Sequence, residues 1–426
     1  MPYETEINPP ASSPHFAARP GGPPPREAFA EVREAVRRWP VLAAGFRSFF
    51  LLAGIWSVLA MLLWTGMIGA GLALPTRFDA VSWHIHAMLY GFIPAVIAGF
   101  LLTAIANWTG RAPVNGVPLA ALVALWLAAR VAGMISLALP FWCAPALDAA
   151  FYAALCALAA RELLAAGAHR NLFLLAPLVI IAAGSLLMHA ESLGTALPAG
   201  LSWRLGIAAM VLLMSIIGGR IIPAFTRNWL AARGAQYLPA PSSMPNRLAI
   251  FSALAAMVCW AIAPSSIVSG GALAAAGVLA LARLARWRGL AVRGEALLLI
   301  LHAGMAWLAL GLILLGASVL APGAVPLPAG VHALTAGAMG TLTLAVMTRA
   351  TLGHTGRKLH ADAATQAIYL LVTAAALLRV CAGFVTDQLP LLTAGTLWSA
   401  AFLLFTLFYA PALLGARQER KKGVLF

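Results

Sequence analysis

The sequence predicts an all-α integral membrane protein of about twelve transmembrane helices. Three observations predict it. Charged residues make up only 10% of the 426, against about 25% in soluble domains, while 62% are hydrophobic. Apolar runs long enough to cross a bilayer follow one another from residue 49 to residue 416. Cations collect in alternate connections between those runs. The net charge of +15 comes from 28 Lys+Arg against 13 Asp+Glu. In a soluble chain that excess would suggest nucleic acid. Here the cations form short clusters between apolar runs, so membrane topology accounts for them and no nucleic-acid partner is expected.

Taken in order, residues 1–25 are rich in Pro, Ala, Ser and Gly, the composition of a disordered tail. Residues 26–40 have helical charge spacing and are predicted to lie along the membrane surface as an amphipathic helix. The first apolar run comes too late and is too long for a cleaved signal peptide. A polytopic domain over 41–416 follows, with spans predicted at 49–73, 83–108, 116–140, 146–166, 171–189, 203–230, 247–264, 266–283, 295–320, 329–350, 364–385 and 390–416. Only Pro264-Ser265-Ser266 divides the seventh from the eighth. Residues 417–426 form a basic tail. Cys143, Cys156, Cys259 and Cys381 stand singly, without the spacing of a disulfide framework, a zinc site or a haem attachment motif.

One set of connections carries Arg111, Arg161, Arg170, Arg283, Arg288, Arg357 and Lys358. The opposite set holds Asp79, Asp148, Glu191 and Asp387 with few cations. Cation-rich connections stay in the cytoplasm, which puts both termini there.

The residues that carry chemistry start in the second run, Trp83-His84-Ile85-His86. Imidazole is costly in hydrocarbon unless it is paired or ligating. On an ideal helix, positions two apart point about 200° from each other, so His84 and His86 are not expected to hold one ion together. His332 opens the tenth run on the same outer side. His84, His86 and His332 are therefore candidate metal ligands, since neutral imidazole suits both iron and copper; the bland alternative is histidines wetted at headgroup level. His189, between Met188 and Ala190-Glu191, brings together the donor types of a copper site, and an exposed loop histidine is the competing reading. His302 lies about 10 Å along the ninth helix from its cytoplasmic end, as a candidate ligand of a second centre. Arg47, Arg130 and Arg379 sit in or beside apolar runs, where a guanidinium pairs with carboxylates, such as the propionates of a haem if one is bound, or serves structure.

Helices two, six and ten share a plan, ending in Asn107-Trp108-Thr109-Gly110-Arg111, Phe225-Thr226-Arg227-Asn228-Trp229 and Met347-Thr348-Arg349-Ala350-Thr351, with His354 just beyond the last. Arg111, Arg227, Asn228, Arg349 and His354 mark this cytoplasmic motif. Four helices repeated three times resembles the pseudo-threefold catalytic subunit of haem-copper oxidases. Those oxidases place copper-binding histidines on helix six and the region after it, whereas 203–264 contains no histidine, which argues against an oxygen reductase.

More specific blocks run through most of the chain. They include Phe46-Arg47-Ser48-Phe49-Phe50, Trp83-His84-Ile85-His86-Ala87-Met88-Leu89-Tyr90-Gly91, Ile222-Pro223-Ala224-Phe225-Thr226-Arg227-Asn228, Leu301-His302-Ala303-Gly304-Met305 and Thr348-Arg349-Ala350-Thr351-Leu352-Gly353-His354-Thr355-Gly356-Arg357. On these blocks the chain resembles the NnrS family of bacterial membrane proteins. The resemblance implies a haem- and copper-containing inner-membrane protein tied to denitrification and to defence against nitric oxide, with His84, His86 and His332 as the haem-binding candidates between helices two and ten. Two positions depart from the family pattern: Ala87 where Glu is expected, and Ser48 where Pro is expected. Nitric oxide is small and fairly apolar, so it reaches a metal through the bilayer, but turnover also needs a membrane electron donor and a proton path. With Ala87 in place of a carboxylate, a protective metalloprotein is favoured over an efficient reductase, and whether the protein is an enzyme stays open. A transporter built from repeats, and an assembly factor passing haem or copper to a nitric oxide or nitrite reductase, are the competing functions.

Overall fold

The computed structural model describes residues 38–240 and 244–418. The expected tail over 1–25, residues 26–37 of the expected surface helix and residues 419–426 of the basic tail lie outside the described residues. Twelve helices among the described residues are long and apolar enough to span a membrane, and those residues form no strand. They are α1 (Gly45–Ala70), α2 (Ala80–Thr109), α3 (Gly116–Met134), α4 (Cys143–Ala165), α5 (His169–Ser192), α6 (Leu201–Ala231), α7 (Met244–Ile262), α8 (Ile267–Ala285), α9 (Ala296–Leu320), α10 (Leu327–His354), α11 (Ala363–Phe384) and α12 (Leu389–Leu414).

Local chemistry sets the helix ends. Asp79 starts α2, its side chain accepting from the amides of Val81 and Ser82 at 3.0 Å each. Ser266 caps α8 by accepting from the Val268 amide, so the Pro264-Ser265-Ser266 break does divide two helices. Gly110 closes α2 in the left-handed conformation at φ 68°, where a side chain would be strained. The third span is shorter than expected. It stops at Met134, and a 3₁₀ turn over Ser136–Ala138 leads to Pro140.

Apart from α2 and α3, successive helices pack closely on one another, and α12 closes back onto α1. Helices α2, α6 and α10 touch one another pairwise inside this ring. α2 is the most enclosed: 89% of its most apolar eighteen-residue window is buried, against 28% for α1. These three inner helices are the ones whose sequences echo each other. Arg220 of α6 sits over the Trp108 ring of α2 at 5.7 Å, and Arg349 of α10 over the Phe225 ring of α6 at 4.3 Å.

α2 and α10 share a deeper resemblance. Each begins with six α-helical residues, Ala80–Ile85 and Leu327–His332, then runs through a seven-residue π-helical segment, His86–Phe92 and Ala333–Met339. Each then returns to α-helix to its end, and Thr-Gly-Arg recurs at 109–111 and 355–357. A π turn loosens the regular backbone ladder and is common at functional sites. In α2 the carbonyls of that turn are engaged from outside. Trp56 Nε1 donates to Ala87 at 2.8 Å, Trp126 Nε1 to Gly91 at 3.0 Å and the Tyr152 hydroxyl to Tyr90 at 3.1 Å. Gly91 is needed there, because a Cβ would lie 2.7 Å from Arg130 Nη1 and 2.8 Å from Trp56 Nε1.

Candidate functional site: two histidine sites on one helix

The start of α2 feeds two different sites. His84 and His86 diverge, as residues two apart on a helix must. His84 faces a cavity of about 370 Å³ enclosed by α1, α2, α6, α10, α11 and α12, within the usual size range for small-molecule and cofactor sites. The lining is almost entirely apolar, including Trp64, Met88, Phe92, Trp203 and Trp398. His84, His332 and Arg379 are its ionisable groups. Val81 and Leu327, at the first turns of α2 and α10, are the more exposed lining residues and place its mouth at that end of the bundle.

Three features of this cavity call for a ligand. The His84 ring stacks on Trp64 with centroids 4.5 Å apart, yet its Nδ1 is buried without a hydrogen-bond partner. His332 Nδ1 pairs with the Pro328 carbonyl at 2.8 Å, where only a protonated Nδ1 can donate. That leaves Nε2 as the free lone pair, the usual arrangement of a metal-bound histidine. Arg379 lines the cavity with no hydrogen bond or ion pair to any described residue. An apolar chamber with two available imidazoles and one unpaired guanidinium fits haem: ligands for the iron and a cation for the carboxylates.

His86 belongs to the second site, not to the first. It is 3% exposed, and its Nε2 lies 3.0 Å from Asp148 Oδ2 and 3.2 Å from Ser185 Oγ. His189 Nε2 lies 2.8 Å from the same Oδ2. The two imidazoles meet edge to face at 4.7 Å, and Phe78 stacks on His86 at 4.9 Å. The other oxygen of Asp148, Oδ1, accepts from Arg130 Nη2. This centre is assembled from the end of α3, the start of α4, the end of α5 and the start of α2, at the end of the bundle where the cavity opens. His86, Asp148 and His189 each offer a ligand atom within 4.8 Å of the others, a buried group with the composition of a metal site.

The other expected site residues are placed as follows. Met188 is buried in the apolar core, and Glu191 accepts from Ser202 Oγ at 2.6 Å, so the carboxylate beside His189 is Asp148 rather than Glu191. His302 is isolated from both centres. Its Nε2 meets Thr226 Oγ1 at 2.9 Å and its Nδ1 is unpaired. Arg47 does not reach the cavity; its Nη1 donates to the carbonyls of Leu413 at 2.9 Å and Gly415 at 2.7 Å, capping α12. Arg130 is committed to Asp148, which leaves Arg379 alone at the cavity among the three expected arginines. At the opposite end, Arg111 pairs with Glu162 at 2.8 Å, Arg227 donates to the Pro239 carbonyl at 3.3 Å, Asn228 is exposed, and His354 packs against Phe46 at 5.4 Å. Sequence reasoning missed Asp148 and Ser185 as site residues. The available signal was an acid inside one apolar run and a base, Arg130, inside the run before it, since opposite charges in adjacent membrane helices pair.

No curated protein matches the chain. The family described as NnrS protein matches residues 40–417, nearly the whole length, from the 3₁₀ turn ahead of α1 to just beyond α12. The chain belongs to the NnrS family.

Proposed function

We propose that the protein is a haem- and copper-containing protein of the bacterial inner membrane that protects against nitric oxide in denitrification-type metabolism, by binding or processing nitric oxide or its products. Family membership supports the coarser part, a membrane protein related to the nitric oxide response. The observation that carries the finer part is the cavity between α2 and α10 with its two available imidazoles. His84 and His332 are the residues that would hold the haem iron, and Arg379 its carboxylates. Haem, when bound, would supply the iron as the group that takes nitric oxide in exchange for one of the two imidazoles. The chain provides an apolar chamber that a neutral gas enters from the bilayer without a hydrophilic channel. Copper is assigned to a separate centre.

Orientation follows from charge. The end bearing Arg111, Arg227 and Arg357 is cytoplasmic under the positive-inside rule, as are both termini, which turns both histidine sites toward the outer face. Position argues against the transporter alternative, because both sites lie near one end of the bundle rather than at the midplane where transporters hold substrates.

The test is genetic. Deletion of the gene in its host, followed by exposure of low-oxygen cultures to nitric oxide, is expected to raise sensitivity. Wild type should restore resistance, and His84→Ala and His332→Ala should not. Unchanged sensitivity on deletion would remove the protective role, and full rescue by both variants would detach that role from the cavity.

A further inference from the structure

We propose that His86 Nε2, His189 Nε2 and Asp148 Oδ2 are the protein ligands of a copper(II) ion, with Ser185 Oγ beside the fourth position and Arg130 holding the carboxylate in place. The proposal rests on the copper-containing reading above and names the ligand set, which neither the histidine pattern nor the family match supplies.

The spacing is the first support. Around a copper(II) ion in square-planar coordination, with ligands at about 2.0–2.1 Å, neighbouring donor atoms stand about 2.9 Å apart and opposite ones about 4.1 Å. Here Asp148 Oδ2 lies 2.8 Å from His189 Nε2, 3.0 Å from His86 Nε2 and 3.3 Å from Ser185 Oγ. His86 Nε2 lies 3.2 Å from Ser185 Oγ. These separations lie within a few tenths of an ångström of the spacing between neighbouring donors.

Orientation is the second. Both imidazoles present Nε2 to one carboxylate oxygen, while the other oxygen is taken by Arg130. A ligating carboxylate whose free oxygen is tied to a second residue is a recurrent feature of metal centres. Arg130 is thus a positioning residue, and Gly91 makes the room for it against α2.

Donor type chooses the ion. The one carboxylate of the centre, Asp148, is already paired with Arg130. Two nitrogens and one carboxylate oxygen suit a borderline divalent ion. Copper(I) prefers thiolate or thioether sulfur. No cysteine belongs to the buried ligand group, and the hydroxyl beside it comes from Ser185.

The experiment uses the intact protein purified in detergent from copper-replete cells, with copper content by mass spectrometry and the oxidised protein by electron paramagnetic resonance. Wild type should hold stoichiometric copper whose signal carries coupling to two imidazole nitrogens. Asp148→Asn, His86→Gln and His189→Gln should each lower copper content at least tenfold and keep the haem band, whereas Glu191→Gln and Met188→Leu should retain both. Arg130→Lys should keep copper but shift the hyperfine pattern, a change that a merely structural arginine would not cause. Copper retained in all three ligand variants, or lost in Met188→Leu, would overturn the assignment while leaving the copper reading standing. Wild type devoid of copper would overturn both. If the ligand variants fail to fold, the wild-type spectrum decides by itself, because coupling to one nitrogen or to more than two contradicts the set.

Discussion

Replacing Arg130 by methionine should be among the most destabilising single changes in the bundle. Asp148 is 1% exposed, and among the described residues Arg130 is its only cationic partner outside the two histidines. Methionine keeps most of the length that packs beside Gly91 but leaves a buried carboxylate facing two imidazoles and a serine. Breaking a buried ion pair from one side costs about 3–5 kcal/mol. At about 1.4 kcal/mol per tenfold, that is a factor of roughly 10² to 10³·⁵ in the unfolding equilibrium. The double variant Arg130→Met/Asp148→Leu removes both charges and should recover most of the loss, because apolar replacement of a whole buried pair is often neutral. The assay is a denaturant titration of metal-depleted protein in a mild detergent, with all variants at one pH and ionic strength. A double variant as unstable as the single one, or a single variant indistinguishable from wild type, would refute the claim that pairing at Asp148 holds α3 to α4 and α5.

Gly91→Ala should destabilise by about 1–3 kcal/mol through overpacking against Arg130 and Trp56, read as a lowered thermal midpoint. Gly133→Ala, where a Cβ meets nothing within 4 Å, should not. Asp362 caps α11 by accepting from the Thr365 amide at 2.8 Å and its hydroxyl at 2.7 Å, so Asp362→Ala should cost about 1 kcal/mol. Those same bonds hold its carboxyl below 3.8 in the folded protein. The cap's contribution is therefore complete above pH 3.8 and is lost as pH falls through the lower folded value; equal wild-type and variant stability at neutral pH would contradict it. His302→Gln should leave haem and copper content unchanged, because Thr226 and not a centre holds its ring.

The twelve spans were legible because hydropathy over some twenty residues and the breaks at Pro264 and the capped ends are local signals. The pairing of α2 with α10 was partly legible, through their shared Thr-Gly-Arg ends and their histidines. The π segments were not, since nothing in His86–Phe92 taken alone distinguishes them from α-helix. Divergence of His84 from His86 follows from helix geometry, but which of the two faces α10 depends on the rotation of α2, which only packing sets. Hence the cavity holds His84 and His332, while His86 turns to Asp148. Asp148 looks like a residue near a span's end, and its burial depends on how α3, α4 and α5 converge on it. Glu191 is nearer His189 in sequence, yet Ser202 claims it across the α5–α6 connection.

The most direct test of the account is the absorption spectrum of the purified protein from haem-replete cells, compared with His84→Ala, His332→Ala and His86→Ala. The wild type should show a stoichiometric Soret band with a low-spin reduced spectrum. His84→Ala and His332→Ala should each lose or convert it, because each would remove one of the two imidazoles that would hold the iron. His86→Ala should keep it, since that imidazole faces Asp148 and His189. A wild type without haem, or a band lost in His86→Ala and retained in both cavity variants, would contradict the assignment of haem to the cavity between α2 and α10.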